Sequence, residues 1–128
     1  MDASLQDTLK KLAGQLPGCL HTSVIDGTTG LALAASSEVD ALDAAGADAF
    51  HSDLYRLGRQ AAHALPGADA IEEIVITSGE ATCVSIPVEE TGYLWLVVTK
   101  RDSTVGFIQA LMRKYVFRIE ESLRSLVD

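Results

Sequence analysis

The sequence predicts an α+β fold in which helices cover an antiparallel sheet, and three features carry that prediction. Helix-like and strand-like periodicities follow one another in the order helix, two strands, helix, three strands, helix. Connections between successive strands are no longer than five residues, which suits antiparallel hairpins and excludes the crossovers of a parallel sheet. Finally, Tyr93–Thr99 reads YLWLVVT, with apolar residues in both alternating sets: Tyr93, Trp95 and Val97 in one, Leu94, Leu96 and Val98 in the other. A strand apolar on both faces belongs in the middle of a sheet with helices above and below it.

The first helix carries a single stripe, Leu5, Leu9, Leu12 and Leu16, after a Ser4–Asp7 capping pattern, and Pro17-Gly18 ends it. Cys19–Ile25 reads as a half-buried strand, Asp26-Gly27-Thr28-Thr29-Gly30 as a turn, and Leu31–Ala35 as the return strand. A long helix is expected from Asp40, its N-cap, to Leu65, with Pro66-Gly67 closing it. Three strands follow: Ile71–Thr77, Ala81–Val88 and Tyr93–Thr99. Pro87 falls at the end of its strand, where a missing N–H does least harm. Asp102 or Ser103 caps a final helix that buries Val105, Ile108, Met112, Tyr115, Ile119, Leu123 and Leu126.

The long helix bears more than one stripe. Ala47, Phe50, Leu54, Leu57, Ala61 and Ala64 recur at spacings of three and four, and are expected to cover the chain's own sheet. Beside them run Ala44, His51 and Gly58 at seven-residue spacing, with Ala62 in line. Small residues there would let a second helix approach closely, so this line is expected to form a dimer seam that Gly58→Leu would weaken. A third line holds Asp48, Ser52, Tyr55, Arg56 and Arg59, and Tyr and Arg are residues that anchor interfaces. One chain fills one sheet with one stripe, so the surplus points to binding more than to catalysis.

Composition narrows the function further. A chain of 128 residues with 48% apolar and 22% charged residues fits one compact domain, 1–128, and is not disordered. A net charge of −8 argues against nucleic acid and against anionic membrane surfaces, both of which need a Lys/Arg patch. Asp26, Glu38, Asp40, Asp43, Asp48 and Asp53 follow one another with no Lys or Arg among them, as a solvated acidic face or a patch for a basic partner. No run reaches the roughly 18 apolar residues of a membrane span, and Leu5–Leu16 lacks the order of a signal peptide. The expectation is a cytoplasmic protein without membrane insertion, with Cys19 and Cys83 as free thiols.

No chemistry of its own is expected. His51 and His63 are twelve residues apart on one helix, too far to share an ion, and His21 lies on a strand, so no metal or cofactor is assigned. No serine sits in a G-x-S-x-G elbow, and Gly27-Thr28-Thr29-Gly30 lacks the lysine and following helix of a phosphate loop. Glu72-Glu73 and Glu89-Glu90 are adjacent pairs on a strand and in a turn, and neither forms an acid/base dyad.

The segment PGCLHTSVIDGTTGLALAAS resembles the opening hairpin of the Roadblock (dynein light-chain Roadblock-type) family. IEEIVIT, the apolar strand pair ending in YLWLVV, and the closing helix after Arg101-Asp102 extend the resemblance from about Leu5 to Leu126. The resemblance implies a profilin-like sandwich: five antiparallel strands, the long helix on one face and the terminal helices on the other. It implies a homodimer whose third strands pair edge to edge while the long helices pack together. Ile71, Ile74 and Ile76 would then join Ala44, His51, Gly58 and Ala62 in the interface. It further implies a non-enzymatic regulator, GTPase-activating in some members, or a scaffold for a Ras-like small GTPase. Asp48, Ser52, Tyr55, Arg56 and Arg59 would be its docking face; an arginine finger is not how resembling members generally work. A small-molecule sensor domain and an assembly subunit without GTPase binding are the alternatives.

Overall fold

A computed structural model describes residues 3–38, 43–67 and 71–127. The elements are α1 (Ala3–Gln15), β1 (Cys19–Asp26), β2 (Ala32–Ser37), α2 (Ala44–Ala62), β3 (Ile74–Thr77), β4 (Ala81–Val88), β5 (Tyr93–Lys100) and α3 (Val105–Val127). The strands form one antiparallel sheet in the order β2-β1-β5-β4-β3. The doubly apolar β5 takes the centre, as its sequence requires: Leu94, Trp95, Leu96 and Val97 are all buried.

The two faces of the sheet differ in chemistry. On one, Val24, Val84, Val88, Trp95 and Val97 meet the leucine stripe of α1 and the Ile108, Met112, Tyr115, Ile119 and Leu123 stripe of α3. Each of these side chains contributes roughly 1.5–3 kcal/mol by leaving water, which makes this layer the main stabilising core. Trp95 keeps its one polar atom satisfied there, its Nε1 donating to Thr22 Oγ1 at 2.9 Å. The other face, under α2, is mixed: Ile25, Leu94 and Leu96 share it with His21, Ser23 and Ser85. That polarity decides how α2 sits.

The β1–β2 turn is built around Asp26, whose Oδ1 accepts from the backbone N–H groups of Thr28 (2.7 Å) and Thr29 (3.2 Å). Gly30 closes it with φ +76°, and a Cβ there would lie 3.0 Å from the Ala49 Cα. The turn is thereby held against α2.

Several boundaries differ from the sequence expectation. The strand expected from Ile71 begins at Ile74, opposite Ser85. Continuing that register would set Glu72 opposite Pro87, which has no N–H to give to a ladder. Asp40 lies outside the described residues; the cap of α2 is Asp43, whose Oδ1 accepts from Gly46 N at 3.0 Å. Ser4 lies within α1 and not before it. Thr104, not Asp102 or Ser103, caps α3, its Oγ1 accepting from Phe107 N at 3.1 Å. Of the expected α3 stripe, Val105 is half-buried and Leu126 exposed.

Candidate interaction surface

Helix α2 lies along the polar face of the sheet and presents three sectors. Its underside holds Asp48 (4% exposed), His51 (4%) and Ser52 (2%). Asp48 Oδ1 accepts from His21 Nε2 at 2.9 Å and from Ser23 Oγ at 2.8 Å, both on β1. His21 Nδ1 lies 2.5 Å from the Ser37 hydroxyl, so the ring links β2 through β1 to α2. His51 Nε2 bonds the Ser85 hydroxyl on β4, and Ser52 Oγ donates to the Gly27 carbonyl at 2.8 Å. Hydrogen bonds to β1, β4 and the β1–β2 turn therefore seat this helix.

The apolar stripe is displaced to one flank. Phe50 is 76% exposed and Leu57 63%, with Ala61 also exposed, while Ala47 and Leu54 are half-buried. This flank overlooks an open groove of about 1020 Å³. Leu54, Leu96, Val98 and Cys83 line the groove, and Phe50 and Ile76 stand at its sides. Beyond it runs β3, the short outer strand, with Ile76 43% exposed on this face and Val75, opposite Val84, 42% exposed on the other. Flank, groove and strand edge form one continuous surface.

On the opposite flank Tyr55, Arg56 and Arg59 line a recess of about 520 Å³, closed by Gly27 and Thr28 of one turn and Glu89, Glu90 and Gly92 of another. Arg56 pairs with Asp53 on the same helix. Both arginines are exposed.

These positions correct the assignment of the helix faces made from the sequence. Phe50 and Leu57 do not anchor α2 to its own sheet; beside Ile25, Leu94 and Leu96 the sheet beneath offers His21, Ser23 and Ser85, which hydrogen-bonding side chains satisfy and aliphatic ones do not. Of the line expected to form a dimer seam, His51 is enclosed within the chain and Ala44, Gly58 and Ala62 are half-buried. His51 bonds Ser85, and Gly58 sits over the chain's own Ile71 and Ile74. A Cβ at Gly58 would lie 3.0 Å from Ile71 Cδ1, so Gly58→Leu disturbs the seating of α2 within one chain. Ile71 and Ile74 are half-buried, leaving Ile76 as the exposed isoleucine of that edge. Of the docking residues, Asp48 and Ser52 are enclosed beneath the helix, whereas Tyr55, Arg56 and Arg59 line the second recess.

The Ser37–His21–Asp48 chain was not found from the sequence, because its members are spread over β1, β2 and α2. It contains the residue types of a nucleophile relay. His21 is fully buried and Ser37 exposed, and the chain of bonds ties β2 and β1 to α2. Burial pushes the thiol of Cys19 up to about 11 and that of Cys83 up to about 12, which disfavours the thiolate of both at neutral pH. Among the described residues no cluster of His, Cys, Asp and Glu has the makings of a metal site, and no helix is long and apolar enough to cross a membrane.

Burial holds the imidazole of His51 below its ordinary value of 6.5, and the nearby Asp48 charge offsets only part of this. The unfolded chain therefore takes up this proton first as the pH falls below 6.5, so the His51 contribution to stability is present above that value and is lost on acidification. Urea midpoints measured from about pH 7.5 down to about pH 5.5 are expected to decline more steeply for the wild type than for His51→Gln. Equal slopes would contradict this.

No protein-family model matches the sequence, and no curated protein matches it. Solved structures do match the fold. The Roadblock/LC7 domain from Streptomyces avermitilis superposes with a TM-score of 0.80 at 18% identity, over 93% of this chain and 97% of that one. Myxococcus xanthus MglB gives 0.82 at 11% identity, over 98% and 91% of the two chains. The gliding protein mglB from Thermus thermophilus gives 0.81 at 14% identity, over 97% and 91%. The chain has the Roadblock/LC7 fold, as the sequence resemblance implied.

Proposed function

We propose that this chain is a non-catalytic, homodimeric Roadblock-type protein that regulates or scaffolds a Ras-like small GTPase. The observation that supports dimerisation most strongly is the apolar flank of α2, with Phe50 and Leu57 largely in solvent beside the unpaired edge of β3. An exposed strand edge next to exposed large apolar side chains invites aggregation unless a partner covers both. A second copy does so about a two-fold axis: β3 pairs with β3, and the two α2 flanks close over the grooves between them. The interface is thus made by Phe50, Leu54, Leu57 and Ile76, with Ile71 and Ile74 packed behind it.

The GTPase partner rests on the family resemblance. The structure leaves one surface of suitable chemistry on the other flank of α2, where Tyr55, Arg56 and Arg59 border an open recess. In a two-fold dimer this flank stays accessible on both subunits. Binding of a Ras-like GTPase, loaded in turn with GDP and with a non-hydrolysable GTP analogue, is expected in at least one state and is expected to weaken about tenfold in Arg56→Ala/Arg59→Ala. Failure to bind in either state would favour an assembly subunit.

A further inference from the structure

Phe117 points straight away from the core on α3 and is 68% exposed, while Tyr115 and Ile119 on either side of it are buried. The residues around it have an ordered charge pattern. Arg113 and Lys114 lie four and three residues before Phe117, and Glu120 and Glu121 lie three and four residues after it. At about 100° per residue all four project within roughly 60° of the Phe117 direction. Lys114 and Glu121 fall on one side of it, and Arg113 and Glu120 on the other. Farther out, Ala110 and Arg124 lie seven residues before and after, again on the same face.

This pattern is its own complement when reversed. We propose that α3 packs antiparallel against α3 of a second copy, about a two-fold axis at Phe117. Such an axis keeps each flank on its own side while inverting chain direction. Lys114 then meets Glu121 of the second copy on one side, and Arg113 meets its Glu120 on the other, with the two Phe117 rings between them. Arg124 lies over Ala110, whose small side chain leaves room for the guanidinium. A parallel pairing instead sets like charge on like charge, which selects the antiparallel one. Among the described residues Arg113 and Glu121 have no hydrogen bond or ion pair, and Glu120 meets only Arg124, at 3.6 Å. Lys114 makes one long hydrogen bond, to Gln15 at 3.5 Å, stands 5.5 Å from the centre of the Tyr115 ring, and has no ion pair. The partners are therefore available.

This surface lies on the opposite side of the sheet from α2 and does not depend on the α2–β3 contact. A protein with both contacts assembles beyond a dimer, into a closed tetramer or an open chain of dimers. A single helix pair buries less than the about 1,600 Å² of a standard interface, so the association is weak and is read at high protein concentration.

The test is charge exchange, followed by sedimentation velocity of the full chain. Arg113→Glu/Lys114→Glu makes the face wholly acidic and Glu120→Lys/Glu121→Lys makes it wholly basic. Each alone is expected to weaken association beyond the dimer by about tenfold or more. Mixed in equal amounts they are expected to recover it, since every acidic position then meets a basic one. Phe117→Asp is expected to abolish it with the circular dichroism spectrum unchanged. Wild type and Phe117→Asp sedimenting alike at high concentration overturns the proposal, as does a mixture no larger than its separate components. Loss of the α2–β3 contact would be seen instead in Phe50→Asp, with the response to Phe117→Asp preserved.

Discussion

Phe50→Asp/Leu57→Asp is expected to yield a folded monomer. Both side chains stand mostly in solvent on the flank of α2, so within one chain their replacement leaves the fold within about 0.5 kcal/mol of its original stability. Across a two-fold interface the same change sets charges against an apolar surface that has lost its own anchors. Each anchor contributes about 2 kcal/mol or more and is lost from both subunits, so the dissociation constant weakens by a factor of at least about a thousand. Thermal unfolding and equilibrium sedimentation of one sample read the two quantities separately. The double variant also separates two arrangements of the helix: if the Phe50 stripe lay on the sheet, two buried aspartates would unfold the chain. A protein that is stable but monomeric fits only the arrangement in which the stripe faces outward.

Asp48→Ala is expected to cost about 2–5 kcal/mol, because two buried donors each lose their acceptor. His21 Nε2 and Ser23 Oγ both end on Asp48 Oδ1, and both donors are fully buried beneath α2 when the carboxylate is removed. Against a typical stability of about 5–15 kcal/mol, that loss removes a large part of the total. Asp48→Asn retains the Oδ1 acceptor that both donors use and is expected to cost less than half as much. Urea denaturation of the three proteins at neutral pH measures the difference. Because α2 carries the apolar flank, Asp48→Ala should also weaken the dimer, whereas Phe50→Asp leaves the His21 network in place.

What was legible in the sequence was whatever a single periodicity decides. The alternation of YLWLVVT placed β5 between its neighbours, and the spacing of Leu5, Leu9, Leu12 and Leu16 placed α1 on the core. The orientation of α2 was not legible in that way, because periodicity identifies an apolar face without saying what covers it. The missing signal lay in the strands: His21 and Ser23 share one face of β1, and with Ser85 of β4 they make a surface that requires polar cover. Asp48, His51 and Ser52 supply it, and the apolar stripe is thereby turned outward. The cap of α2 falls at Asp43, three residues after the expected Asp40, because the same residue type recurs there and its carboxylate reaches Gly46 N. The start of β3 depended on register, because only pairing with β4 sets Glu72 opposite Pro87.

The central claim is that the outer edge of β3 pairs with its counterpart in a second copy, under cover of the α2 flanks. Hydrogen exchange of the Ile74–Thr77 amides that point away from β4 reads that pairing directly. The account predicts slow exchange in the wild type, with protection that rises with protein concentration and is lost in Phe50→Asp/Leu57→Asp. Equally rapid exchange of these amides in both proteins, at every concentration, would contradict it.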